Sequence, residues 1–304
     1  MDKIAFVFAG QGAQAPGMGR DLYENFAPVR PYFDRAEAIR PGTLKQCFEG
    51  PAEELTQTIN AQPCLFLVDY ACALAAQEVT GKPAFCAGFS LGEMAAAAFS
   101  ELLSFEEAFR LVVKRAELMQ DSAEKHPGAM FAVVKLSAES VVALCQSLPE
   151  AYPVNFNCPG QTVVACASES TEALVAAARA DGGRAIRLAV SGAFHSPFMR
   201  EASEGFRKAL EGASFSVPDM PLYANLTAQP YKQNAEAETL SAQTCSPVRW
   251  QETVENMISS GASLFVEVGP GNTLAGLIQK INPGTEVFGV GGLEGLAALK
   301  GRFA

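Results

Sequence analysis

One local pattern and two side chains point to acyl chemistry. The apolar run 83–87 leads into Gly88-Phe89-Ser90-Leu91-Gly92-Glu93 and then the alanine stretch 95–98. Strand, Gly-x-Ser-x-Gly turn and helix, in that order, are the setting of a nucleophile elbow. Gly88 and Gly92 lack a Cβ, so strand and helix can close around a sharp turn. The turn would hold the Ser90 hydroxyl at a helix N-terminus, where free N–H groups favour developing negative charge. Outside this setting the same pattern reads as a glycine-flanked structural turn.

A serine needs a base to attack an acyl carbon at neutral pH, and the chain contains only two histidines. His126 precedes Pro127-Gly128 in a polar linker and reads as a solvated loop residue. His195 sits among Gly192, Phe194 and Pro197, where the chain crosses between segments of different periodicity. Ligand clefts form at such crossings, so His195 is the candidate base; by position alone, a buried structural histidine fits as well. No Asp or Glu stands out as its orienting partner. A main-chain carbonyl or amide is therefore expected to hold the imidazole tautomer. The oxyanion is expected to face the N–H of Leu91 and one N–H of the Gly-rich loop 9–14, assigned to Gln11. That loop lacks Gly-Lys-Ser/Thr and is not a phosphate loop. Its loose dinucleotide-like match at Gly10, Gly12 and Ala15 is set aside because Pro16-Gly17 delays any helix.

Arg115 is the third candidate. Ala108, Leu111, Val112, Leu118 and Met119 share one face of a helix predicted over 104–120, and Arg115 lies inside that stripe. A buried guanidinium needs a partner. A protein carboxylate, a stem that snorkels to water and a bound carboxylate substrate all remain open.

The surrounding elements are read from periodicity. A buried strand at 3–8 opens the chain, followed by helices near 20–27 and 30–39, a short helix at 53–58 and a long apolar helix at 62–79. From 128 to 190 the order is β-α-β-β-α-β, the ferredoxin-like pattern, with Pro159-Gly160 as a hairpin turn. Beyond it come a helix at 198–210, a strand at 214–223, helices at 239–244 and 250–259, and a strand at 264–268. A helix at 273–281 and a last strand at 287–290 complete the reading. The expected fold class is α/β: a large domain (1–127 and 194–304) on a mostly parallel sheet, with a small domain (128–193) inserted.

The 304 residues are 49% hydrophobic and 18% charged, a globular composition. The net charge of −10 argues against nucleic acid or an anionic membrane as partner. We read no run long enough to span a bilayer and no signal peptide. The eight cysteines show neither C-x-x-C pairs nor metal-ligand spacing. Buried thiols of a cytoplasmic protein are expected, with no metal.

Together these residues resemble the malonyl-CoA:acyl-carrier-protein transacylase family of bacterial fatty-acid synthesis. The resemblance rests on the segments 8–14, 61–63, 88–93, 115–120, 155–161, 192–197, 247–250 and 267–271, in family order. It implies a hydrolase-like large domain with a ferredoxin-like insertion. It implies a Ser90 malonyl ester formed from malonyl-CoA and passed to the phosphopantetheine thiol of acyl carrier protein, with His195 as base and acid and no cofactor. Arg115 would clamp the malonyl carboxylate, which favours the substrate among the three partners above. Gln11 and Leu91 would face the oxyanion, and Gln62 and Asn157 would line the substrate site. Phe194 would crowd out branched acyl groups, and the Gln243 main-chain carbonyl would hold His195. The family usually carries His before the nucleophile; this chain has Phe89. The carrier protein would be an acidic, transient partner, met by a basic rim at Arg184, Arg187 and Arg200. Competing readings are an acyl-carrier-protein acyl hydrolase on the same scaffold, a polyketide-pathway acyltransferase, and a non-catalytic carrier-docking module.

Overall fold

The computed structural model describes residues 2–304. In chain order the elements are β1 (Ile4–Phe8), α1 (Arg20–Asn25), α2 (Arg30–Ile39), α3 (Thr43–Glu49), α4 (Ala52–Thr56), α5 (Thr58–Thr80), β2 (Phe85–Gly88), α6 (Gly92–Phe99) and α7 (Phe105–Lys125). Next come β3 (Gly128–Val134), α8 (Ala138–Gln146), β4 (Ala151–Cys158), β5 (Gln161–Ala167), α9 (Thr171–Ala180) and β6 (Arg184–Arg187). Then follow α10 (Arg200–Leu210), β7 (Leu222–Tyr223), α11 (Glu236–Gln243), α12 (Trp250–Ser259), β8 (Leu264–Val268), α13 (Thr273–Ile281), β9 (Glu286–Val290) and α14 (Leu293–Phe303).

The larger sheet has the order β7-β2-β1-β8-β9, with every pair parallel. Its central strands β1 and β2 are apolar because both faces are covered, β8 adds one buried carboxylate, Glu267, and the edge strand β9 is more open. Ile4, Phe6 and Phe8 point into one cluster with α5, α6 and α7. Ala5 and Val7 point into a second, built on Trp250 and Val254 of α12 and Leu277 of α13. The smaller sheet is antiparallel, in the order β4-β5-β3-β6. This is the ferredoxin-like arrangement, and the fold class agrees with the sequence reading. One face of this sheet packs on α8 and α9. Its other face meets Met119, Phe194, Met199 and Ala202, residues on or beside α7 and α10. The β4 edge is closed by Val248, whose N–H donates to the Val154 carbonyl (2.8 Å) and whose carbonyl accepts from the Phe156 N–H (2.9 Å).

Helix α5 bears on the expectation that no run spans a bilayer. It is long and apolar enough to pass the length and composition test for a membrane span, but 89% of its most apolar window is buried inside the protein. It is the central core helix. Pro63 lies within it and lacks the N–H that would bond the Ile59 carbonyl. An Arg40 Nη2 donates to that carbonyl instead, at 3.4 Å. Gln62, just before the proline, is buried in the interior.

Other expectations fail for physical reasons. The strand expected over 214–223 reduces to Leu222–Tyr223, because Pro218 and Pro221 have no N–H to give a ladder. Helix α3 was missed, and so was α14, which follows the strand read as the last. Gly295 and Gly301 blur the helical pattern of α14. Its first turn is held from far away, by an Asp21 carboxylate oxygen that accepts from the Leu293 N–H at 2.7 Å. Leu296 and Leu299 then bury against the core.

The elbow depends on close backbone contact. A Cβ at Gly92 would lie 2.2 Å from the Phe8 carbonyl oxygen. Alanine in place of glycine inside a helix ordinarily gains about 1 kcal/mol. Here we expect Gly92→Ala to lower unfolding free energy by roughly 2–3 kcal/mol, as overpacking does. Urea unfolding of the two proteins checks this.

Candidate active site

Ser90 sits between β2 and α6 with φ 54°, a backbone conformation L-residues rarely hold. Asn225 pins the turn. Its Oδ1 accepts from the Ser90 N–H (2.7 Å), and its Nδ2 donates to the Gly88 carbonyl (2.6 Å). His195 also has positive φ, 61°. Its Nδ1 lies 2.9 Å from the Gln243 carbonyl oxygen. A carbonyl can only accept, so Nδ1 carries the proton and Nε2 is free to accept. Ser90 Oγ lies 2.6 Å from that Nε2 and donates to it. The pair forms a serine–imidazole dyad oriented by a main-chain oxygen.

Arg115, on the inner face of α7, is 1% exposed. One Nη donates to Gln62 Oε1 (2.7 Å); the other donates to Gln243 Oε1 (2.8 Å) and approaches Ser90 Oγ at 3.4 Å. Its Nε has no acceptor. The guanidinium fork thus faces two neutral amide oxygens, with Ser90 at its tip. The Gln243 side-chain amide donates in turn to the Ser90 carbonyl (2.8 Å) and to Glu93 Oε2 (2.8 Å). Glu93 is fully buried at the start of α6. It also accepts from the Asn225 N–H (3.0 Å) and the Tyr231 hydroxyl.

Burial sets the ionisation of this cluster. It pushes His195 down to about 4, helped by the positive charge of Arg115 and opposed by the Gln243 carbonyl. The imidazole is neutral at physiological pH and ready to take a proton. Burial pushes Glu93 up to about 6, against the donors from Tyr231, Gln243 and Asn225 and the charge of Arg115. Arg115 falls to about 10 by burial, with Glu93 opposing, and stays charged.

Two amides have no acceptor among the described residues: that of Leu91, next after the serine, and that of Gln11, on the loop after β1. The loop carrying Gln11 lies against the elbow, since a Cβ on Gly10 would be 2.6 Å from the Phe89 carbonyl oxygen. The Gln11 side chain turns away to donate to Thr58 Oγ1 at 3.1 Å. Gln11 and Phe89 border a cavity of ≈ 530 Å³ between the two sheets. Asn155 and Asn157, two residues apart on β4, line it as well. Both are buried, and both carboxamide oxygens lack a partner. The cavity walls do not include Ser90, His195 or Arg115.

Of the residues singled out in the sequence, the structure brings Ser90, His195, Arg115, Gln62 and Gln243 into one hydrogen-bonded cluster. Leu91 and Gln11 flank it. Asn157 lies in the adjoining cavity, and Phe194 sits deeper, in the apolar layer with Met119 and Ala123. Phe89 meets the Trp250 ring edge-on at 5.5 Å and offers no acceptor to Trp250 Nε1, which has none. Arg184, Arg187 and Arg200 are exposed; Leu188, just after β6, lines the cavity. Sequence reasoning missed Glu93, Asn225 and Tyr231. Glu93 did leave a signal: it is the lone charge in a run otherwise fit for the core. Asn225 and Tyr231 left none, because their partners are more than a hundred residues away.

The acyl transferase domain family matches residues 5–285 of the chain. A malonyl CoA-acyl carrier protein transacylase of Bacillus subtilis is 38% identical over 289 residues, covering 93% of this chain and 91% of that protein. Among solved structures, a malonyl-transacylase in complex with a type II polyketide-synthase acyl-carrier protein superposes with TM-score 0.94 at 34% identity, covering 99% of each chain. The malonyl CoA-acyl carrier protein transacylase of Coxiella burnetii gives TM-score 0.94 at 32% identity, covering 99% of this chain and 98% of that one.

The ionisation pattern has a direct readout. Labelling of Ser90 by a fluorophosphonate, followed by intact mass, should persist well below the ordinary histidine value of about 6.5. It should fade as pH drops through about 4, where His195 takes up a proton. Protonating Glu93 near 6 leaves Arg115 less balanced, which pushes His195 further down and not up. Arg115→Ala removes one cause of the depression, so its labelling should fade at higher pH.

Proposed function

The chain belongs to the acyl transferase domain family, and on that premise we propose that it moves a malonyl group from malonyl-CoA to the phosphopantetheine thiol of acyl carrier protein. Ser90 Oγ attacks the thioester carbonyl while His195 Nε2 takes its proton. The amides of Leu91 and Gln11 face the oxyanion. When the tetrahedral intermediate collapses, the C–S bond breaks and His195 returns the proton to the departing thiol. A malonyl ester on Ser90 remains. The carrier-protein thiol then attacks the ester carbonyl, His195 takes the thiol proton, the ester C–O bond breaks, and Ser90 regains its proton. Two half-reactions through one ester make a ping-pong cycle. Donor and product are both thioesters, and each side of the exchange carries one free thiol, so the transfer is near isoenergetic and calls on no cofactor.

One observation carries this reading above the others: a buried guanidinium 3.4 Å from the nucleophile hydroxyl. A malonyl ester places its carboxylate two carbons beyond the ester carbonyl, within reach of that fork. The carboxylate would replace the amide oxygens that now occupy the Nη groups. An acyl hydrolase for misloaded carriers has no use for such a cation. The cavity next to the elbow suits the pantetheine arm. Its two amide groups would meet the carboxamide side chains of Asn155 and Asn157, which line that cavity. The acidic carrier protein would dock transiently at the mouth, beside the exposed arginines. The free cysteines, seven of the eight buried, fit a cytoplasmic setting. The product would serve as extender unit for fatty-acid synthesis; a related malonyl-transacylase is seen in complex with a type II polyketide-synthase carrier, so a polyketide carrier is the alternative acceptor.

Mixing the protein with malonyl-CoA should add one malonyl mass to Ser90, and Ser90→Ala should abolish the adduct. Arg115→Ala should cut malonyl loading by two orders of magnitude or more, about 3 kcal/mol, while acetyl loading falls far less. Equal loss for both donors would reject the clamp. Asn157→Ala should raise the KM for malonyl-CoA about fivefold or more, with kcat little changed, as loss of a binding hydrogen bond does.

A further inference from the structure

Glu93 has no part in the transfer steps above, yet it is the only carboxylate bonded into the cluster. Its main-chain N–H bonds the Ser90 carbonyl (3.2 Å), but its side chain bonds neither the nucleophile hydroxyl nor the base. It is fully buried. Its two oxygens are engaged by the Asn225 N–H, the Gln243 side-chain amide and the Tyr231 hydroxyl. No cation bonds it directly. A carboxylate with this many donors stays ionised where an isolated buried one would not.

The connection to Arg115 runs through one side chain. The Gln243 amide nitrogen has two acceptors, the Ser90 carbonyl and Glu93 Oε2, so its oxygen must point at the guanidinium. The reverse orientation would set an NH₂ group against the arginine and an oxygen against two oxygens. Glu93 thereby orients Gln243, and through it one Nη of Arg115. It also supplies the charge opposite the buried cation. Empty, the pocket holds one positive and one negative charge. With a malonyl carboxylate present it holds one positive and two negative.

We propose that Glu93 is a positioning residue that moderates how tightly Arg115 holds an anionic acyl group. This rests on the malonyl-transfer reading. A fork facing no internal negative charge would bind the acyl carboxylate more strongly. Glu93 offsets part of that attraction, so the malonyl group can be taken up and given back in a near-isoenergetic exchange. A neutral acyl group does not sense this balance.

The test is Glu93→Gln, measured by Ser90 loading at graded malonyl-CoA and acetyl-CoA. A glutamine keeps an oxygen for Asn225 and Gln243, and Tyr231 can turn to accept from its NH₂. The geometry survives and the charge goes. The expected result is a KM for malonyl-CoA lower by roughly three- to tenfold, with the KM for acetyl-CoA unmoved, so the malonyl preference rises. The empty variant should also melt at lower temperature, and the malonyl ester should recover more of that loss than it adds to the parent protein. A merely structural role would weaken both donors together. Should Glu93→Gln fail to fold, Tyr231→Phe removes one donor and makes charging Glu93 harder; it should shift the donor ratio the same way, by less. An unchanged or lower malonyl preference in the variant tested overturns the proposal, while a normal malonyl ester on Ser90 of the parent protein leaves the transfer reaction standing. Absence of that ester in the parent protein would sink both.

Discussion

One glutamine holds the centre of this molecule. The main-chain oxygen of Gln243 binds the imidazole of His195, its side-chain oxygen binds Arg115, and its side-chain nitrogen binds Glu93 and the Ser90 carbonyl. All of these groups are buried, so none can turn to water for a substitute partner. The residue ends α11, and its position is set by the packing of that helix against α10, whose Ser203 donates to the Ser241 carbonyl at 2.8 Å. An element remote from the elbow in sequence therefore decides where the proposed base and the proposed clamp stand relative to each other.

The two left-handed backbones, at Ser90 and His195, follow from the same arrangement. Each is unfavourable by of order 1–3 kcal/mol and persists because its neighbours over-determine it. Ser90 is pinned through its N–H by Asn225 and through its carbonyl by Gln243. His195 is pinned by its ring and by its own N–H, which donates to the Thr244 carbonyl at 3.2 Å. Both segments lie against the parallel sheet or its helices, which are apolar and covered on both faces. Rigid layers absorb the strain and leave two side chains aimed at each other at 2.6 Å.

Much of this was legible beforehand. Apolar runs and glycine turns gave the strands, and the period change near residue 128 gave the second sheet. The elbow was readable because its parts are contiguous. Arg115 was readable because a charge inside an apolar stripe is conspicuous. What stayed hidden depends on distance in the chain. Asn225 is an ordinary loop residue until its side chain is seen spanning Gly88 and Ser90. Helix α14 carries two glycines and has its first N–H capped by a residue from α1. Local pattern cannot report a partner that only the folded chain brings near. The long apolar helix α5 was legible as a helix from its composition, and its burial in the protein core follows from the layers packed around it.

The order of strands in the larger sheet also bears on how the molecule is assembled. Strand β1 precedes its sheet partners in the chain but lies in the middle, between β2 and β8. The register Ile4 to Leu264 spans most of the polypeptide. One of its edges must remain unpaired until β8 has been made. The β3–β6 sheet, by contrast, draws its strands from one contiguous segment and can close while that edge still waits. Slow, late completion of a parallel sheet is the expected regime for contacts of such sequence separation. During that interval the apolar ribbon 4–8 is exposed to self-association, and ribosome-bound chaperones would have most to shield there.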